Sequence, residues 1–210
     1  MSCSAWFSSP VPPEESPEPI LAICVGHSRR VDMGAFSCDN TTTEWDYNLR
    51  VAKAMASHLN TLGVPSVIVC EYQGEGYLEA MEWLGKELKA KKVKAAIELH
   101  FNSAGESAHG SEMLHWHRSS KGKALAECLQ GSVVNEFKTR SRGAKGLTGQ
   151  QRGSKFLQVT PCPSVIAEPF FGTNEDEWDQ FKLNHLGLGV ALADGFNNYY
   201  HLGATSKPSE

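Results

Sequence analysis

Three apolar runs in this chain each end on a side chain that can do chemistry. Ile20–Val25 runs through Gly26 into His27, Val93–Leu99 ends at His100, and Pro163–Ala167 ends at Glu168. In open α/β sheets, ligands bind beyond the carboxyl ends of strands, so two imidazoles and a carboxylate at three such ends predict one convergent site. Imidazole nitrogens and carboxylate oxygens are zinc donors. A catalytic zinc takes three protein ligands and keeps one position for water. Glu44, on the first turn of the helix after the His27 loop, is the natural third donor, with Asp32, Cys38 and Asp39 as competitors in that loop. Thr41-Thr42-Thr43-Glu44 also reads as a capping box with Thr41 as N-cap, which would give Glu44 a structural task instead. Local sequence leaves both readings open.

Glu168 follows Val165-Ile166-Ala167. A carboxylate at the end of an apolar strand is costly to bury unless it is paired or working, so it is either an acid/base group or the partner of a basic residue in 138–155. Glu98 lies two residues before His100, on the same side of the strand. It can orient a metal ligand from behind or make a structural hydrogen bond. His115 and His117 share a strand face but lack a partner carboxylate at recognisable spacing, and surface positions are the default for His58 and His201.

Strand-like runs at 20–25, 65–70, 93–100, 111–117, 156–159 and 164–168 alternate with helical patterns at 41–62, 77–92, 120–137 and 175–200. The first helix carries Trp45, Leu49, Ala52, Met55, Ala56, Leu59 and Leu62 on one face and stops at Gly63. This alternation predicts a single α/β domain over 20–201, a twisted and mainly parallel sheet flanked by helices. Residues 1–19, rich in Ser, Pro and Glu, read as a flexible extension, and 202–210 as a flexible tail. Lys138–Lys155 reads as a long glycine- and base-rich loop that could act on substrate.

The 210 residues are enough to bury a core without disulfide or metal staples. Net charge is −4, from 20 basic and 24 acidic residues, so nothing points to nucleic acid. No run of about 20 apolar residues exists, which excludes membrane insertion. The six cysteines are scattered without a C-x-x-C pair, which suits a reduced compartment. Met1–Trp6 has neither the basic cluster nor the apolar run of a secretion signal, so synthesis in the cytoplasm is expected.

Read together, these segments resemble the zinc-dependent N-acetylmuramoyl-L-alanine amidases of bacterial cell-wall turnover and phage endolysins. Gly26-His27 with Asp32-Met33-Gly34-Ala35 is similar to the family's first metal motif. Glu44 with Asn48-Leu49 and Val51-Ala52 is similar to the segment that supplies a metal-binding glutamate. Ile97-Glu98-Leu99-His100-Phe101-Asn102 resembles the segment of the second histidine, and Gly110-Ser111-Glu112 the motif after it. Ser141-Arg142-Gly143 and Pro163–Phe171 with Asn174 resemble the region of the catalytic glutamate. The chain departs from the pattern at Ser28-Arg29, where a glycine pair is usual, and at Glu98, where a small hydroxyl residue is typical.

The resemblance implies Zn²⁺ held by His27, Glu44 and His100, with Glu168 as catalytic acid/base. It places Glu98, Asn102, Glu112 and Arg142 around the ligands or substrate. The implied reaction is hydrolysis of the amide between N-acetylmuramic acid and L-alanine in peptidoglycan, in the manner of an endolysin that reaches the wall after release into the periplasm. The residues alone support metal-assisted amide hydrolysis. A zinc peptidase or deacylase acting on a small acyl-amino acid, or a non-catalytic peptidoglycan-binding module of the same fold, are the alternatives; a binding module would be expected to lack one of the four site residues. Oligomeric state is not legible in the sequence.

Overall fold

The computed structural model describes residues 18–29 and 32–205. Its strands are β1 (Leu21–Val25), β2 (Ser66–Val69), β3 (Ala95–Leu99), β4 (Ser111–Trp116), β5 (Ser141–Leu147) and β6 (Ser164–Glu168). They form one six-stranded sheet in the order β2-β1-β3-β6-β4-β5. Every neighbouring pair is parallel except β4 and β6. The mainly parallel sheet expected from the alternating pattern is the one observed.

Register explains why the strands are apolar on both faces. Leu21, Ile23 and Val25 align with Ala95, Ile97 and Leu99, and Ile97 and Leu99 with Val165 and Ala167. Side chains alternate along a strand, so this set faces one helical layer: α1 (Glu44–Thr61), α3 (Ser120–Phe137) and α6 (His185–Thr205). Ala22, Cys24, Ala96 and Ile166 face the other layer, α2 (Tyr77–Ala90) and α4 (Ser154–Val159). Strands covered on both faces have no polar side to show, hence the unbroken apolar runs. The cysteines within the described residues are free thiols, and no described helix is long and apolar enough to cross a membrane.

Four local expectations are corrected. The stretch 138–155 is not a long loop: Ser141–Leu147 forms edge strand β5, parallel to β4. Its sequence, SRGAKGL, has little strand propensity, so pairing with β4 overrides local preference. Phe156–Val159 lies in helix α4 rather than in a strand, an ambiguity that periodicity cannot resolve in so short an apolar run. The helix expected over 175–200 is broken into α5 (Glu175–Phe181) and α6. Asn184 sits at the break, where its carbonyl accepts from the Leu188 amide at 2.9 Å. Finally, the cap of α1 is Thr43, not Thr41. Its hydroxyl oxygen accepts from the Asp46 amide at 3.1 Å and its O–H donates to the Asp46 carboxylate at 2.9 Å. Helix α6 runs on to Thr205, into the stretch read as a tail; residues 206–210, and 1–17 of the extension, lie outside the described residues.

An aromatic cluster locks the segment after β6 to the start of α1. Phe170 stacks on Phe181 with centroids 4.4 Å apart and meets Tyr47 edge-on at 5.3 Å. The Tyr47 hydroxyl donates to the Phe181 carbonyl at 2.8 Å, and Trp178 Nε1 donates to Asp39 at 2.8 Å. Phe170→Ala leaves a cavity beneath both segments and is expected to lower unfolding stability by about 3–5 kcal/mol; equilibrium denaturation in urea measures it.

Candidate metal and acid–base site

The site lies at the carboxyl ends of β1, β3 and β6, three adjacent interior strands. His27, just past β1, adopts a positive φ of 69°. Such backbone conformations cost energy for a non-glycine residue and concentrate where a side chain must be aimed. Its Nδ1 meets Asp32 Oδ2 at 3.0 Å, while Nε2 lies 3.2 Å from Glu44 Oε2. His100, just past β3, turns Nδ1 to Glu44 Oε1 at 2.8 Å and Nε2 to Glu98 Oε2 at 3.3 Å. The two rings stand edge-on, with centroids 5.0 Å apart.

Capping by Thr43 frees Glu44, the first residue of α1, to face the imidazoles. Its Oε2 accepts from the Ala35 amide at 3.0 Å, which fixes the carboxylate plane. Two glycines make the room. A Cβ on Gly26 would lie 2.3 Å from the His100 ring, and one on Gly34 (φ +76°) would lie 2.6 Å from Glu44 Oε2 and 2.7 Å from His27 Cδ2. One donor atom each from His27, Glu44 and His100 fall within 4.8 Å of one another. With metal–ligand distances of about 2 Å, three donors this close need only small adjustments to share one ion. Burial would push the Glu44 carboxyl up, but hydrogen bonds from both imidazoles outweigh it and hold it well below the usual range. Burial likewise opposes charge on His100, yet Glu44 and Glu98 raise it well above an ordinary histidine.

Glu168 ends β6 opposite Glu112 of β4. No basic residue of 138–155 pairs with it. Arg142 Nε and Lys145 Nζ both go to Glu112 Oε2, at 2.6 and 2.5 Å, and Asn102 Nδ2 donates to Glu112 Oε1 at 2.8 Å. Glu168 Oε2 is covered and has no hydrogen-bond partner among the described residues. Burial, reinforced by the negative charges of Glu44 and Glu112, pushes its carboxyl up to about 8 against the partial relief of His100 and His27. Glu112 goes the other way: burial would raise it, but Lys145 and Arg142 hold it below the ordinary value.

A cleft of about 770 Å³ opens over these groups and runs from His27, His100 and Glu168 past Glu98 to Tyr72, Tyr77 and Arg152. Asn102 and Glu112 line it; Arg142 does not, being held on Glu112 with its guanidinium over the Phe171 ring. A second hollow of similar size, lined by Trp116, Arg118 and Cys162, contains neither histidine nor Glu168. Of the competing donors, Asp32 stands behind His27, Asp39 pins its own loop through Ser37, Thr41 and Trp178, and Cys38 is exposed. Sequence reasoning missed Lys145 and Tyr72. Nothing local marks either: three-residue spacing along a strand puts Arg142 and Lys145 on opposite faces, and the register shift at Arg142 in β5 is what lets both reach Glu112.

Comparison with known proteins names the group. The N-acetylmuramoyl-L-alanine amidase family model matches residues 21–197. The chain belongs to this family. It is therefore an amidase, an enzyme of peptidoglycan amide hydrolysis. Among solved structures, the amidase is similar to the catalytic domain of the CD27L endolysin targeting Clostridia difficile. That match has 26% identity and a TM-score of 0.71, over 85% of this chain and 96% of that one. The CwlD amidase of Clostridioides difficile, solved with the GerS lipoprotein, shares the fold at TM-score 0.76 and 19% identity, over 88% of this chain and 100% of that one. The catalytic domain of CwlV from Bacillus (Paenibacillus) polymyxa var. colistinus does so at 0.73 and 22%, over 87% and 98%. No curated protein matches the amidase.

The Glu168 environment has a measurable consequence for the metal-free amidase. Unfolded, this carboxyl titrates near 4.5; folded, near 8. Between these values the folded state binds more protons than the unfolded one, so the contribution of this group to stability falls as pH rises. Glu168→Gln, neutral throughout, is expected to match the parent near pH 4.5 and to melt at progressively higher temperature than the parent up to pH 8. Thermal unfolding in the presence of a chelator reads the difference.

Proposed function

We propose that this amidase is zinc-dependent and cuts the amide bond between the lactyl group of N-acetylmuramic acid and the L-alanine of the stem peptide. One observation carries the reading: His27, Glu44 and His100 converge within 4.8 Å, and the half-buried carboxylate of Glu168, whose Oε2 is covered and without a partner, shares their cleft. Two imidazoles and one carboxylate suit zinc, and they match the three-ligand sets of catalytic rather than structural zinc sites. Zinc bound there supplies Lewis acidity, making water a nucleophile near neutral pH and polarising the scissile carbonyl.

The remaining chemistry falls to the chain. Glu168 lines the cleft and has neither a basic partner nor a hydrogen bond to its covered Oε2, so it takes the proton from the attacking water and returns it to the leaving amine. Its raised proton affinity in the metal-free state comes first from burial and then from the charges of Glu44 and Glu112. A nearby cation would favour the ionised base. Asn102, Arg142 and Lys145 hold Glu112 in place beside it, so that the second carboxylate on this face stays charged and fixed. The similarity to the CD27L catalytic domain supports an endolysin role, in which the amidase is made in the cytoplasm and reaches the wall after release.

Glu168→Gln is expected to keep one zinc per chain by elemental analysis while losing at least about 100-fold in lysis of purified cell walls. His27→Ala is expected to lose both zinc and lysis. Digests by the parent amidase should show new L-alanine amino termini without new reducing sugars, and chelation should stop the reaction until zinc is restored. Near-normal lysis by Glu168→Gln would sink the acid/base assignment, and new reducing ends would sink the bond assignment.

A further inference from the structure

We propose that Glu98, held by Tyr72, is a positioning residue that clamps the His100 imidazole with Nδ1 turned to the ligand cluster and so sets the metal affinity of the site. The proposal rests on the zinc reading above and goes beyond it, because neither residue is a ligand there. Strand β3 delivers Glu98 and His100 two positions apart, hence on one side of the chain. Glu98 is only 4% exposed, and both of its oxygens are engaged: Oε1 accepts from the Tyr72 hydroxyl at 2.9 Å, and Oε2 faces His100 Nε2 at 3.3 Å. Tyr72 is itself buried, so its hydroxyl holds Glu98 without competition from bulk water.

The consequence follows from the two nitrogens of one ring. With a carboxylate against Nε2, that nitrogen keeps its hydrogen, and a neutral imidazole then has its lone pair at Nδ1, the atom 2.8 Å from Glu44. On the other side the ring packs against Gly26, where even a Cβ would come within 2.3 Å. His100 is thus held between a backbone that lacks a side chain and a carboxylate that cannot swing away. A carboxylate behind a metal-binding imidazole also makes it a stronger donor. His27 has the same arrangement with Asp32 at Nδ1, but the Asp32 side chain is 69% exposed whereas that of Glu98 is 5% exposed. Water screens the first pair and not the second, so the two positions make an internal comparison: the buried carboxylate should matter more.

The test uses the full chain, with zinc affinity measured by competition against a chromogenic chelator and melting of the metal-free protein measured alongside. Glu98→Gln is expected to weaken zinc binding by about 10–100-fold, while the metal-free chain, though it melts at a lower temperature for want of the carboxylate that faces His100, stays folded at the assay temperature. Tyr72→Phe is expected to weaken binding in the same direction by less, and Asp32→Asn by less than Glu98→Gln. Zinc affinity of Glu98→Gln equal to the parent overturns the inference alone. Weaker binding by a Glu98→Gln chain that circular dichroism shows to be unfolded at the assay temperature assigns Glu98 a structural role and overturns it as well. A parent chain that takes up no zinc overturns the zinc reading and this inference together.

Discussion

The carboxylate of Glu44 is the joint on which the site is built. It enters from a helix on one face of the sheet and reaches imidazoles that two adjacent strands present, at 2.8 and 3.2 Å. Isolated and buried, such a carboxylate would be destabilising. Here the cost is offset by both rings and by the amide of Ala35. Everything that fixes the start of α1 therefore bears on the site: the Thr43 cap, the Asp39 loop pinned on Trp178, and the aromatic packing of Tyr47 on Phe170. Moving that helix end would break the contact between Glu44 and both histidines at once.

Charge is distributed unevenly around this joint, and the unevenness makes the chemistry. Glu112 and Glu168 face each other across β4 and β6, and like charges placed so are mutually unfavourable. The conflict is resolved by giving one carboxylate two cations and the other none. Glu112, with Arg142 and Lys145, is a fixed anion. Glu168 keeps an unpartnered oxygen and a high proton affinity. Two glutamates on adjacent strands thereby acquire opposite tendencies from their neighbours, the usual way in which environment separates an acid/base group from a fixed charge.

Much of this was legible beforehand because it follows from local rules. Apolar runs that end on His27, His100 and Glu168 announce buried strands with chemistry at their carboxyl ends, and the sheet places all three together. The reading failed where local signals were weak or shared. Ser141–Leu147 has two glycines and three polar residues among its seven, and only the open edge of β4 makes it a strand. Phe156–Val159 suits a strand or one helical turn equally well. The three consecutive threonines before α1 offered more than one cap, and choosing Thr43 over Thr41 decided whether Glu44 was a capping residue or faced the histidines.

By itself the amino-acid order determined the layered α/β class, the three chemically armed strand ends and the identity of the groups that meet there, because burial periodicity and strand polarity are properties of short stretches. Only the tertiary structure decided the pairings: that Arg142 and Lys145 serve Glu112 and leave Glu168 alone, that Tyr72 stands behind Glu98, and that Glu44 bridges both imidazoles. These are contacts between residues up to 56 positions apart. Side-chain electrostatics depends on distances of a few ångströms in space, and nothing in the separation of residues along the chain encodes them.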